Sequence, residues 1–562
     1  MSVRDELDTW DPATVAIGVV AGILLALGAS LTLGLHLWAL FAGVTLPANP
    51  FTLLLEVAHG TVHLTAAVWA CTALTLLLIA LVVLMGRRMV MGPGGDKTRA
   101  DKAARRTGLP RDTKPLSPKA VAAKAKRLGA APGVTGLPVG RAVAGGRSFM
   151  SSVEDVCVLI AGPRTGKTTS WVIPRIYAAP GAVVATSNKR DIVDETRKRR
   201  GDFGRVWVFD PQGIAEEPQR WWWNILSYVT DAVQARALTQ VFVDATRDPS
   251  AQTSAYFDSA AQDLVAAMLL AAARSGRDIT ALHGWLNDQN DDEPVTLLRA
   301  AGEHMMADTL QGTINLVPET RSGVYGSAAT IMSFMLNEAA MAWVTPSPWL
   351  EEFRPEDFVA STDTLYCLSQ EGRGSASPIV TALTVAVTEA AVDYAKTQPG
   401  GRLALPMLIE LDEAANVCRW RELPDMYSHF GSRGILVDTI LQSWSQGAKA
   451  WTDKGMDALW SAANIKMYAG GVSEKSFLSV LSELIGTYYE DSRQTSHSRQ
   501  GHSSSISQQS QQRPIATVAD LQALPARRAW VFASGATPVL TRLVPYWQTK
   551  PATPKTSERS TK

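Results

Sequence analysis

Cysteine is scarce in this sequence: Cys71, Cys157, Cys367 and Cys418 stand far apart among 562 residues. None forms a CxxC pair or has a histidine at metal-ligand spacing. This excludes a disulfide scaffold and a thiolate metal centre, and leaves buried, reduced thiols of a cytosolic environment. Charge is scarce too. Only 19% of residues are charged and 46% are apolar, and 54 Lys+Arg balance 53 Asp+Glu to a net charge of +1. That composition excludes disorder along the whole chain, and the length excludes one ordinary domain. Near-neutrality argues against a nucleic-acid partner only if the charge is evenly spread, and it is not.

From Pro12 to Leu55 there is no charged residue. Within that run, the 24 residues Val15–Trp38 would span about 36 Å as a helix, against a hydrocarbon core of about 30 Å. Leu64–Met85 is a second uncharged run. Residues 1–88 are therefore expected to be a two-helix transmembrane anchor. The acidic N-terminal segment and the absence of a small-residue cleavage site argue against a signal peptide. Residues 86–148 hold 15 Lys+Arg against 3 Asp+Glu, a net of +12 that leaves −11 for the rest. The positive-inside rule puts this side in the cytoplasm, with the bulk of the chain, and the N-terminus with it. Few large apolar residues occur over 89–148, so a basic linker without a packed core is expected. Attraction to anionic lipid headgroups and contact with nucleic acid both remain open for it.

A short apolar run, DVCVLIA, leads into Ala161-Gly162-Pro163-Arg164-Thr165-Gly166-Lys167-Thr168. This is a Walker A sequence with Ala in the leading place, and it predicts a loop whose backbone N–H groups cradle phosphates at a helix N-terminus. Residues Gly162 to Thr169 are the expected ATP-binding set. Lys167 would reach the β and γ phosphates, and Thr168 would ligand Mg²⁺. Far downstream, PMLIELDEAANV delivers Asp412 and Glu413 at the end of an apolar strand. Asp412 would hold the metal ion and Glu413 would polarise the attacking water. Glu410 shares a strand face with Asp412, and whether it faces the site or a polar neighbour is open.

Further strands at AVVATS, RVWVFDP, TLYCLS, GILVDTILQS and NIKMYAG alternate with helical patterns. Alternation of this kind predicts an α/β fold with a parallel sheet and ligands at the strand C-termini. Residues 229–344 have helical periodicity without strand signal and predict an all-α insert. The nucleotide domain would then comprise residues 149–228 and 345–548. Within it, residues 491–513 are Ser/Gln-rich and are expected to be a mobile loop, and 549–562 a disordered basic tail. Trp221-Trp222-Trp223 suits packing at the junction of the two domains better than base stacking.

These features, in this order, resemble the type IV coupling proteins of conjugation and type IV secretion, the TraG-like family. The resemblance runs through two N-terminal spans, the P-loop, SNKRD after Val183-Val184, VFDPQG, Trp223-Asn224-Ile225-Leu226, LDEAAN and Gln442-Ser443-Trp444-Ser445-Gln446. It implies a P-loop RecA-like ATPase, membrane-anchored and homo-hexameric. Such an ATPase brings a relaxosome substrate to the channel components of a type IV secretion system. That substrate is DNA, single-stranded in preference to double-stranded, with a relaxase or effector protein. It also implies catalytic roles for Lys167, Glu413, Arg433 and Gln442. Gln442 would be the γ-phosphate sensor, and Arg433 the interface arginine reaching the neighbouring subunit's nucleotide, with Arg373 as its rival. The SNK segment departs from the Asp-rich ending common in the family and leaves Lys189 without an assigned role. An alternative reading is a nucleotide-gated receptor for secreted proteins that pumps no DNA. A chromosome-type translocase fits less well, because nothing resembles its winged-helix domain.

Overall fold

The computed structural model describes residues 12–62, 65–90, 98–246, 254–372, 375–497 and 504–549. The chain divides into two compact units, Met1–Lys97 and Thr98–Lys562.

In the first unit, the uncharged runs form two long helices, Pro12–Ala42 and Ala66–Val90, with a short one, Pro50–Ala58, between them. The long helices approach closely where Gly34 meets Thr72: a Cβ on Gly34 would fall 2.6 Å from the Thr72 Cα. Thr75 Oγ1 donates to Ser30 O across the same seam at 2.9 Å. Among the described residues, this close approach, the hydroxyl bond and a small apolar cluster of Leu35, Leu53 and Val68 join the helices, while Leu27, Leu33, Leu40, Leu77 and Leu81 face outward.

The described strands of the second unit, in chain order, are β1 (Leu137–Ala142), β2 (Ser148–Ser151), β3 (Cys157–Ile160), β4 (Val183–Ser187), β5 (Val206–Phe209), β6 (Trp221–Trp222), β7 (Glu351–Glu352), β8 (Thr364–Leu368), β9 (Met407–Leu411), β10 (Ile435–Leu441), β11 (Ile465–Tyr468), β12 (Thr487–His497), β13 (Ser504–Pro514), β14 (Arg528–Ala533) and β15 (Val539–Arg542). Eleven of them make one sheet in the order β2-β1-β15-β14-β11-β3-β10-β9-β4-β8-β5. From β11 to β5 all neighbours are parallel. Strands β3, β9 and β10 are buried on both faces, which is why they read as continuous apolar runs. The expected parallel sheet is thus corrected to a mixed one. Strands β14, β15, β1 and β2 add an antiparallel edge, because the short turns joining β1 to β2 and β14 to β15 allow no crossover helix.

The expected unpacked linker is also corrected. Residues 98–151 fold as helices Arg99–Ala103 and Pro118–Arg127 followed by β1 and β2. Ser117 caps the second helix by accepting from Ala120 N, Pro118 starts it, and Val121 and Ala125 bury one face. Alanine at helical spacing suffices for this shallow packing, so the dearth of large apolar residues misled; residues 91–97 lie outside the described residues. The Ser/Gln stretch is likewise not a plain loop. Strands β12 and β13 pair antiparallel from Thr487↔Pro514 to His497↔Ser504. Ladder hydrogen bonds are available to polar sequence without a core. Residues 498–503, in the middle of that stretch, and 550–562 of the expected tail lie outside the described residues.

Between β6 and β7 the described residues are helical. The central helix, Ala255–Ser275, is buried all round from Leu264 to Ala272 and ends on Gly276, which is left-handed at φ 70°. The insert joins the sheet through a clasp. Strand β6 pairs with β7, and Trp223 N donates to Trp343 O at 2.8 Å. Trp221 packs edge-on against Trp207 and Trp343. Trp221 and Trp223 are buried, so these tryptophans pack the junction.

Candidate functional site

The P-loop leaves β3 and turns into a helix whose first turn, Thr168–Val172, is π-helical, with Ile173 N donating to Thr168 O. Pro174 explains the widening, since its ring would clash with the carbonyl four residues back in a regular α-helix. Gly162 has no room for a side chain: a Cβ there would lie 2.1 Å from Gly471 O, and its own N–H donates to Gly470 O at 2.9 Å. Gly166 is left-handed at φ 90°. Thr165 is buried, Pro163 and Arg164 are exposed at the tip, and Lys167, Thr168 and Thr169 are half-buried.

Strand order brings the other groups here. Strand β10 lies between β3 and β9, so Gln442 after β10 and Asp412–Glu413 after β9 flank the P-loop at the strand C-termini. Lys167 Nζ is ion-paired with Glu413 and lies 3.7 Å from Asp412 Oδ1. Thr168 Oγ1 is 3.5 Å from Asp412 Oδ2. Gln442 Nε2 donates to both Glu413 oxygens at 2.9 and 2.8 Å, and Gln442 N donates to Gln446 Oε1 at 2.8 Å. Glu413 is left-handed at φ 56°, a conformation that costs a non-glycine residue about 1 kcal/mol or more and is held where geometry matters.

Asp412 Oδ1 is buried and accepts no hydrogen bond among the described residues. Burial, with the neighbouring Glu413 adding to it and Lys167 opposing, pushes the Asp412 acid up to about 6. A hydroxyl beside a carboxylate with an unused oxygen is a donor set suited to a hard divalent cation.

Arg433 does not join this cluster within the chain. It caps helix Leu423–Ser432 ahead of β10, a strand length, on the order of 20 Å, from Gln442. Arg373 lies outside the described residues. Lys189 is exposed at a helix start, with its N–H on Ser187 Oγ at 3.1 Å. Glu410 faces a polar neighbour. It is buried beside Asp438, its partner in register, and Arg175. Burial and the Asp438 carboxylate push its acid well up. Arg175, from the helix after the P-loop, donates to Asp438 Oδ1 at 2.9 Å and to Ser151 Oγ at 3.0 Å.

Sequence reasoning missed Gly471, which closes on the P-loop, and Asp210, whose buried carboxylate accepts N–H bonds from Ile214, Ala215 and Glu217. The twin glycine after β11 was the available signal for the first. The aspartate closing VFDP was the signal for the second.

A glycine-rich turn between a buried parallel strand and a helix, with two acids and an amide from neighbouring strand ends, defines a P-loop nucleotide-binding fold. Residues 406–526 match the family TraG-D_C, described as the TraM recognition site of TraD and TraG. The structure is similar to the bacterial conjugative coupling protein TrwBdeltaN70 in its unbound monoclinic form. That match has 15% identity and a TM-score of 0.51, covering 75% of this chain and 91% of that one. It is similar to plasmid coupling protein TrwB in complex with the non-hydrolysable ATP analogue ADPNP, again at 15% identity and TM-score 0.51, over 77% and 94% of the two chains. No curated protein matches. The resemblance to type IV coupling proteins is thus carried by a sequence family within the C-terminal half and by the fold of most of the chain.

Proposed function

We propose that this chain is a membrane-anchored ATPase that works as a homo-hexamer. It couples a DNA–protein substrate to a type IV secretion channel and drives DNA transfer in conjugation. The observation that carries the reading is the convergence of Lys167, Thr168, Asp412, Glu413 and Gln442, from three neighbouring strand ends, in one cluster. ATP and Mg²⁺ suit it: P-loop amides and Lys167 would hold phosphates, and Thr168 and Asp412 the cation. Bound Mg²⁺ supplies charge neutralisation on the phosphates.

The residues' own parts follow. Lys167 exchanges Glu413 for a phosphate oxygen. The freed Glu413 stays oriented by Gln442 and accepts a hydrogen bond from a water aligned for attack. Arg433, which has no part in its own chain's pocket, fits the role of a charge supplied to a neighbouring subunit's site, and this supports a ring. Anchoring rests on the two long helices with outward-facing leucines. By contrast, the apolar helix Ser377–Thr397 is 72% buried and belongs to the core of the second unit. Protein recognition rests on the family match, whose description names a TraM recognition site.

The reading predicts that Lys167→Ala abolishes DNA-stimulated ATP turnover in a folded chain. Undiminished turnover in that variant would overturn the site. A chain that binds a secreted protein tightly, and whose turnover ignores DNA, would favour the receptor reading.

A further inference from the structure

The antiparallel edge of the sheet carries an arrangement that folding alone disfavours. Arg141 on β1 is in register with Arg542 on β15, and Arg542 is in register with Arg528 on β14. Residues in direct cross-strand register project from the same face. Three arginine side chains therefore leave the same face on three adjacent strands. Like charges placed directly opposite destabilise a sheet. Arg528 is compensated by Asp101, at 2.8 and 3.2 Å. Arg141 and Arg542 are exposed and have no ion-pair partner among the described residues.

A fourth arginine links this ladder to the P-loop. Arg527 has a left-handed backbone at φ 61°. Its N–H donates to Thr165 O at 3.1 Å, and its carbonyl accepts from Leu543 N at 3.0 Å. Its Cγ lies 3.2 Å from the position a Cβ would take on Gly166. The stem thus lies against the P-loop turn, and the guanidinium has no carboxylate partner among the described residues. A recess of about 250 Å³, lined by Arg527, Arg528, Arg542, Leu543, Pro545 and Gln548, opens beside it. The volume is below the roughly 300–1,000 Å³ of pockets that enclose a whole drug-sized ligand, and suits a fragment such as a phosphate group.

We propose that Arg527, Arg528, Arg542 and Arg141 form a second phosphate-binding site, contiguous with the P-loop, that takes phosphate esters. Arginine forks match phosphate oxygens and form charge-assisted bonds to them, and such a ligand relieves the like-charge ladder. A phosphate ester reaches this edge from one of two sources: a nucleotide seated in the adjacent P-loop, or the backbone of a nucleic-acid strand. The nucleotide arm rests on the P-loop reading above.

The test uses the full chain in detergent and two fluorescent probes, a labelled ADP with Mg²⁺ and a labelled single-stranded oligonucleotide. Arg542→Glu is expected to weaken at least one probe by about tenfold or more and to flatten the salt dependence of its binding. Its unfolding midpoint should hold or rise, since a glutamate there pairs with Arg141 and Arg528. The probe that is lost names the source. Arg527→Ala, at an exposed position, should weaken the same probe. Unchanged affinity for both probes in both variants overturns the site, as does wild-type chain that binds neither. Lys167→Ala separates the two readings. If it keeps full ADP affinity the P-loop assignment fails, while loss of oligonucleotide binding in Arg542→Glu would still stand.

Discussion

Gln442 Nε2 donates to both carboxylate oxygens of Glu413, at 2.9 and 2.8 Å, while Lys167 pairs with the same carboxylate. Glu413 is thereby held by one neutral and one cationic partner, and only the cation is wanted elsewhere. Gln442→Ala is expected to lower turnover by about 10²–10³, the scale for loss of one oriented polar group, with nucleotide affinity within a few-fold of wild type. Equal losses in affinity and turnover would contradict an orienting role.

Because a nucleotide must draw Lys167 away from Glu413, removing that competitor should favour binding. Glu413→Gln is expected to bind nucleotide several-fold more tightly while losing hydrolysis, read by calorimetry and phosphate release. Weaker binding in this variant would mean that the Lys167–Glu413 pair is not broken by the ligand.

The Asp412 acid is raised from 3.8 to about 6 in the fold. The folded chain therefore holds a proton that the unfolded chain has released between about pH 4 and pH 6. The stability this contributes is present below about pH 4 and is lost as pH rises through about 6. A cation competes with that proton, so Mg²⁺-nucleotide affinity should fall as pH drops below about 6. Asp412→Asn should weaken it at pH 8 and remove the pH dependence. An unaltered profile in the variant would assign the titration elsewhere.

Burial pushes the thiols of Cys157 and Cys367 up and that of Cys418 up to about 12. A thiol reagent at pH 8 should leave these three unmodified in the folded chain and react with them after unfolding. Labelling of any of the three at the rate of free cysteine would contradict their packing.

Arg200 comes from a helix that reads as charged and solvated, yet it is fully buried. Its guanidinium donates to Thr364 Oγ1 and to the carbonyls of Ala179, Gly181 and Thr362, all within 2.7–2.9 Å. Burial lowers its pKa to about 10, so it remains charged at neutral pH. Arg200→Ala orphans several buried acceptors and should cost about 3–5 kcal/mol, read from urea unfolding. A loss below about 1 kcal/mol would mean that water replaces the side chain.

Local backbone grammar made the P-loop, the Asp412–Glu413 pair and Gln442 legible, because each marks the end of an apolar run. A phosphate cradle needs glycine at Gly162 and Gly166 and a lysine at the helix start whatever the surroundings, so that stretch announces itself. The same locality explains the errors. Residues 89–148 looked too poor in large side chains to pack, and 491–513 too polar to pair. For the second, the closing strand β13 lies only a few residues beyond β12, and backbone ladder bonds, which side-chain polarity does not report, join them; for the first, partners far away in sequence, such as β15 against β1, supplied the packing surface. Glu410 was undecidable for the same reason: its neighbours, Asp438 and Arg175, come from another strand and from the P-loop helix.

What could be read along the chain was therefore the set of polar groups that meet at the candidate site and the alternation that places them at strand ends. Strand order, the antiparallel edge, the burial of Arg200 and the approach of Arg527 to Gly166 arose from contacts between residues as much as several hundred positions apart. Such contacts depend on which surfaces meet when apolar faces leave water. No local pattern encodes that meeting, and charges such as Arg175 and Arg200 look alike in sequence whether they end in solvent or in the core.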